Sequence, residues 1–184
     1  KNIFCLGLFA LGLCLAHFGG QAAPAPPPDL EIMAGQMIMV GFRGLALAPD
    51  DPIAKALAKG QVGGVILFSR DVAAPGPRNI ESPQQVRALI AQVRAVAAGP
   101  IFVAVDQEGG KVQRLNANNG FTAWPSAREL GRGAPENTRR LAEAMAAQLA
   151  EAGFDLNFAP VVDLDFPGSP AVSGLERAFS SDPA

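Results

Sequence analysis

From Asp29 onward, short runs of consecutive apolar residues alternate with longer stretches whose apolar positions recur every three or four residues, and Gly or Pro separates the two kinds. Consecutive apolar runs suit the strands of a covered parallel sheet, and three-to-four spacing suits the helices packed on it. The pattern predicts strands over Met37 to Phe42, Gly64 to Phe68, Ile101 to Asp106 and Leu156 to Val162. The clearest helix begins at Ser82, with Pro83 at its first position and Gln85 completing a Ser-x-x-Gln capping box. Its stripe is Val86, Leu89, Ile90, Val93 and Val96 or Ala97, and Gly99-Pro100 ends it. A second helix runs from Pro135 to about Ala152, with Leu141, Met145 and Leu149 on one face and Gly153 at its end. A third, from Pro52 to Lys59, has Asp51 as its expected cap and Gly60 as its stop.

This βαβα rhythm defines the fold class as α/β. Four strands and three helices amount to the N-terminal part of a TIM-type (β/α)8 barrel, which when complete takes about 250 residues. The chain has 184 and stops at Ser180-Ser181-Asp182-Pro183-Ala184 without a capped helix or polar tail, so the barrel is expected to be truncated. A small doubly wound fold is the alternative. It lacks its usual signature here, for no G-x-G-x-x-G follows the first strand, and Gly63-Gly64 reads as a tight turn.

The first residues follow a different logic. Lys1 and Asn2 precede an apolar run from Ile3 to Phe18, and small residues follow, including Gly20 and Ala22. This is the layout of a secretory signal over residues 1–22, too short for a span of about 20 apolar residues. The alternatives are an uncleaved anchor and a lipoprotein built on Cys14, with Leu13 standing where that signal wants a small residue. Residues 23–29 then form a Pro-rich linker, leaving 30–184 as the barrel portion. The expected location is periplasmic or secreted, with no membrane association after cleavage.

Both cysteines, Cys5 and Cys14, and the single histidine, His17, fall in that leader. The mature portion therefore has no disulfide, no histidine metal site, no Ser-His-Asp triad and no Cys-His pair. Charge narrows the field further: 15 Lys and Arg against 17 Asp and Glu give a net charge of -2 with no basic stripe. Nucleic acid is not an expected partner. Chemistry must rest on carboxylates, Lys, Arg or backbone, with no cofactor and no metal.

In a parallel barrel the reacting and binding groups sit at the C-terminal ends of the strands. Asp106 ends the predicted strand Ile101-Phe102-Val103-Ala104-Val105, and Arg114 follows beyond Gly109-Gly110. A carboxylate and a guanidinium together hold sugar hydroxyls well; the plainer reading is an Asp106 to Arg114 ion pair that steadies the loop. Asp163 arrives at the same rim after Leu156 to Val162, with Asp165 close behind. Asp106 and Asp163 are either the paired carboxylates of a glycosidase or, for Asp163, a loop cap or the partner of a nearby Arg. Trp124 either stacks on a sugar face or pins its loop to the barrel. Tyr is absent, so a short glycan end is a better substrate than a long polysaccharide.

Four segments carry a family resemblance: Gly63-Gly64-Val65-Ile66-Leu67-Phe68-Ser69-Arg70, then Val105-Asp106-Gln107-Glu108-Gly109-Gly110-Lys111-Val112-Gln113-Arg114-Leu115, then Asn157 to Asp163, then Glu176-Arg177-Ala178-Phe179-Ser180-Ser181-Asp182-Pro183. In this order they resemble glycoside hydrolase family 3, most closely its β-N-acetylhexosaminidase branch. The resemblance implies that Asp106, Arg114 and Arg177 bind the terminal sugar; Asp163 and Glu108 are the candidates to support them. It also implies that none of these is the catalytic group. The family's nucleophile is an aspartate on a later strand, and this branch carries a Lys-His-Phe-Pro-Gly-His-Gly-like motif, neither of which occurs in the 184 residues. Local departures are Lys111, where Arg is common, and an insertion-like Asn116-Ala117-Asn118-Asn119-Gly120 loop. The implied function is retaining removal of terminal β-N-acetylglucosamine from peptidoglycan fragments or chito-oligosaccharides, the 184 residues alone being inactive. The alternatives are a β-glucosidase of the same family and a non-catalytic glycan-binding protein.

Overall fold

The computed structural model describes residues 29–183; the expected leader, both cysteines and the histidine lie outside them. Four short strands, β1 (Met39–Gly41), β2 (Gly64–Leu67), β3 (Phe102–Val105) and β6 (Leu156–Asn157), pair in parallel in the order β1-β2-β3-β6. Sequential parallel neighbours joined by helical crossovers are the wall of a β/α barrel. Registers Gly41 with Ile66, Leu67 with Val105 and Val105 with Asn157 bring the strand ends to one rim.

The helices are α1 (Leu30–Gln36), α2 (Pro52–Ala58), α3 (Pro83–Val96), α4 (Ala127–Gly131) and α5 (Pro135–Ala152). Leu57 of α2 and Val86, Leu89, Ile90 and Val93 of α3 close over Val65, Leu67, Val103 and Val105. Alternation along a strand sends Ile66 and Ala104 to the opposite face. Leu149 and Ala152 tie α5 to the same core. Its predicted stripe is only partly covered: Leu141 and Met145 are half-buried and line an apolar groove of about 230 Å³. Among the described residues, no helix is long and apolar enough to cross a membrane.

Several boundaries differ from expectation for identifiable reasons. Asp29, assigned to the linker, instead caps α1 by accepting the Glu31 N–H at 3.0 Å. Met37 closes that helix in a helical conformation, so β1 starts two residues later than predicted. The last strand is confined to Leu156 and Asn157; Phe158 adds one bond, from its N–H to the Val105 carbonyl at 3.0 Å, and Pro160 has no N–H to continue the ladder. Asp51 does stand at the N-cap of α2, but its carboxylate accepts the Ala48 N–H at 2.7 Å and not a helix N–H. Ser82 caps α3 through the Gln85 N–H, whereas the Gln85 side chain takes the Glu81 N–H, so the expected box stays open. A closed one, Ser126 with Glu129, starts the unanticipated α4.

Leu89 is fully buried at the centre of this packing. Leu89→Ala should lower unfolding free energy by about 3 kcal/mol, read from a urea midpoint shift at unchanged slope. A loss under about 1 kcal/mol would place Leu89 outside the close-packed core.

Candidate sugar-binding site

The rim is organised by the three residues after β3, which point in three directions. Asp106 bonds Arg114, whose Nη2 donates to its Oδ2 at 3.0 Å. Gln107 turns inward and is fully buried. Its Oε1 accepts the Arg114 and Leu115 N–H groups at 2.9 and 3.0 Å, and its Nε2 donates to the Leu115 carbonyl at 2.8 Å. Glu108, with a side chain only 6% exposed, takes both prongs of Arg177, from Nε and from Nη2, at 2.8 Å each.

The backbone turn that makes this possible is a tight hairpin, β4 (Gln107–Gly109) with β5 (Val112–Gln113), which the sequence did not announce. Gly109 and Gly110 have positive φ, and a Cβ on Gly109 would lie 2.1 Å from the Pro125 carbonyl oxygen. The pair therefore forms a packed turn that only glycine can make. The hairpin returns Arg114 to Asp106. Asn157 at the end of β6 clamps the other side, accepting the Gln107 N–H and donating to the Gln107 carbonyl, both at 2.9 Å.

Four of the five anticipated residues are thus two ion pairs, Asp106–Arg114 and Glu108–Arg177. The fifth, Asp163, is exposed and makes no direct hydrogen bond among the described residues. It joins them through its field: Arg177 is held above the ordinary guanidinium range chiefly by its bond to Glu108, with the charges of Glu108, Asp106 and Asp163 adding. The charges of three carboxylates therefore act on one guanidinium at the rim, and one of them, Glu108, is in contact with it. Arg177 has five N–H groups, of which Glu108 and the Ala171 carbonyl engage three, leaving two to donate. Asp165, the remaining strand-end carboxylate, is committed elsewhere, since Arg128 holds it at 3.1 and 3.0 Å. Trp124 is 9% exposed and donates its indole N–H to Gln148 at 3.0 Å, so it pins its loop to α5. Lys111 donates to one oxygen of Glu176 at 2.8 Å and to the Gly174 carbonyl at 3.2 Å, without the two-pronged grip of a guanidinium.

Gln107 and Asn157 escaped the search for charged chemistry. Burial alternates through Val105, Gln107 and Gly109 against Asp106 and Glu108, so the period of the strand continues past its expected end and turns Gln107 inward. Phe68 was also missed. Its ring lies under the Arg114 guanidinium at 5.8 Å, closing the apolar side of the site.

A parallel sheet with helical crossovers, its strand-end carboxylates paired with guanidinium groups at one rim, defines the chain as part of a β/α barrel. The sequence matches the glycosyl hydrolase family 3 N-terminal domain over residues 29–184, and the chain belongs to that family. It is 40% identical over 153 residues to a beta-hexosaminidase of Thiobacillus denitrificans, covering 79% of this chain and 39% of that protein. It is also 40% identical over 150 residues to a beta-hexosaminidase of Pseudomonas aeruginosa, covering 79% and 40%. Among solved structures, the beta-N-acetylhexosaminidase of Beutenbergia cavernae superimposes with a TM-score of 0.70 at 30% identity, covering 85% of this chain and 46% of that one. NagZ from Neisseria gonorrhoeae, in complex with N-trifluoroacetyl-D-glucosamine, gives 0.67 at 29% identity, covering 79% and 41%. The chain thus spans about two fifths of the length of the curated relatives it matches.

Two predictions follow from this geometry. Gln107→Leu keeps the volume but strips one buried and one part-buried N–H of their acceptor, so it should cost about 2–4 kcal/mol in a denaturant titration. A neutral outcome would show that the amide does not hold the loop. The second concerns acid. Asp165 lies below the usual carboxylate range because the Ser173 hydroxyl and Arg128 bond its ionised form, and Glu176 does so because Lys111 does. Lowered folded values mean that the unfolded chain takes up protons first. Stabilisation by both pairs is therefore complete above about pH 4, near the unfolded carboxylate values, and fades as pH falls through the folded ones. Hydrogen-exchange protection over 163–182, corrected for intrinsic rates, should drop below about pH 4 before that of β2 and β3. Loss already at neutral pH, or none in strong acid, contradicts the assignment.

Proposed function

We propose that this chain supplies the sugar-gripping half of an exo-acting β-N-acetylhexosaminidase, acting on peptidoglycan fragments or chito-oligosaccharides with retention of configuration. The observation that carries the reading is the convergence of Asp106, Arg114 and Arg177 at one rim, each with hydrogen-bonding capacity left after its ion pair. Asp106 accepts from sugar hydroxyls through its second oxygen, and the two guanidinium groups donate to hydroxyl oxygens. Their pairing with Asp106 and Glu108 fixes the donors before substrate arrives, so little ordering entropy is lost on binding. Relatives named beta-hexosaminidase and a neighbour bound to an N-acylated glucosamine analogue support the choice of sugar. The nucleophilic aspartate and the proton-transfer group belong to the portion of the relatives that this chain does not span. The chemistry runs on carboxylates and water and calls for no cofactor. The leader expected over residues 1–22 supports a periplasmic or secreted location.

The full-length gene product should release the chromophore from an aryl β-N-acetylglucosaminide. Asp106→Ala or Arg177→Ala should lower kcat/KM about 10- to 100-fold, the cost of about 1.5–3 kcal/mol in charge-assisted hydrogen bonds. Turnover of the β-glucoside alone would move the protein to the family's glucosidase branch. A folded full-length protein that hydrolyses neither glycoside contradicts the proposal.

A further inference from the structure

Beside the sugar site lies a second polar cavity, which shares Arg114 and Phe68 with it. The chain after β2 forms a small hairpin: Asn79 N–H bonds the Phe68 carbonyl at 2.9 Å, Arg78 N–H bonds Ser69 at 3.2 Å, and Arg70 bridges Pro77 in antiparallel fashion. Between this hairpin and Arg114 is a cavity of about 190 Å³ lined by Phe68, Arg70, Arg78 and Arg114 together with Ser69 and Val72. Three guanidinium groups therefore border one space, and none of its lining residues is acidic.

The neighbouring carboxylates are already engaged. Asp106 is bonded to Arg114. Asp71, on the same hairpin, is paired with Arg43, and that bond, joined by the charges of Arg43 and Arg78, holds it at about 2. Arg78 and Arg114 are both fixed against the Phe68 ring, at 4.9 and 5.8 Å, and Arg78 donates its Nε to the Phe42 carbonyl at 2.8 Å. Arg70 is exposed and makes no ion pair among the described residues. The Nε of Arg114 is buried and makes no hydrogen bond. Arg78 and Arg114, held on an aromatic face, together with Arg70, which has no ion pair among the described residues, are well suited to a planar oxyanion.

Arg114 belongs to both sites, with Asp106 bonded to its Nη2 while its side chain lines the cavity. A ligand at one site is therefore a side chain's width from the other. The reading of the rim given above, on which this step rests, has a neutral terminal sugar there, so an anion reaching the cavity must belong to the remainder of the substrate. We propose that Arg70, Arg78 and Arg114 form a subsite for a carboxylate carried on the aglycone, and that Arg70 sets the preference for acidic over neutral aglycones.

The test compares 4-carboxyphenyl with 4-carbamoylphenyl β-N-acetylglucosaminide on the full-length protein, and the matching non-hydrolysable thioglycosides by calorimetry. The exposed Arg70 allows Arg70→Gln without disturbing the core. The wild type should favour the carboxylate about tenfold in kcat/KM and in Kd, and Arg70→Gln should bring both ratios towards one. Added salt should shrink the wild-type preference. Arg70-dependent binding of the carboxylate thioglycoside without hydrolysis of either substrate would keep the subsite and sink the reaction assignment. Equal handling of the two aglycones, or a preference unchanged in Arg70→Gln, overturns the subsite.

Discussion

A single buried amide sets the geometry of the rim. Gln107 makes three side-chain hydrogen bonds to the returning backbone at Arg114 and Leu115, with no water exposure. Those bonds fix where Arg114 emerges, and hence its pairing with Asp106. The same residue's backbone is gripped by Asn157, so β6 and the hairpin are registered against each other through one position. In a buried setting such bonds are worth keeping, because losing any one leaves a polar group with neither water nor protein. The flanking Asp106 and Glu108 point away from Gln107, each towards its own arginine, because Gln107 is committed inward.

The second organising device is charge. Residues 158–183 contain no helix or strand, yet they deliver Arg177 to the site. They are held by Arg128 with Asp165, Lys111 with Glu176 and Arg177 with Glu108, with the Arg128 N–H bonding the Glu176 carbonyl as well. Ion pairs of this kind contribute modestly when exposed. The Glu108 pair is different, for its carboxylate is almost wholly covered and would be left buried and unpaired without Arg177. Close backbone approach adds to the fit: a Cβ on Gly131 would sit 1.8 Å from the Phe179 carbonyl oxygen, so α4 and the Arg177 segment meet with no room between them.

The sequence announced the parallel α/β wall because its strands are runs of apolar residues and its long helices carry clean stripes. α3 was legible down to its cap, since Ser82 and Pro83 act locally. Strand ends were less legible, because pairing stops where a partner ends or a proline withholds its N–H, which are facts about neighbours. Asp106, Arg114 and Arg177 were legible through family motifs, and the Asp106–Arg114 pair was the plainer of the two readings of those residues, although the hairpin that makes it was not foreseen. The Glu108–Arg177 bond joins residues 69 apart and had no local signature. Gln107, Asn157 and Phe68 were overlooked because they are uncharged, although their work is to position charge. Trp124 shows the reverse: a residue suited to sugar stacking is used up in packing and in its bond to Gln148.

The central claim is that two prearranged ion pairs present Asp106, Arg114 and Arg177 to a terminal sugar. A crystal structure of the full-length protein with N-acetylglucosamine bound tests it most directly. The account predicts sugar hydroxyls within hydrogen-bonding distance of the Asp106 carboxylate and of both guanidinium groups, with Glu108 still holding Arg177. A sugar bound away from this rim, or Arg177 released from Glu108 to reach it, would contradict the account.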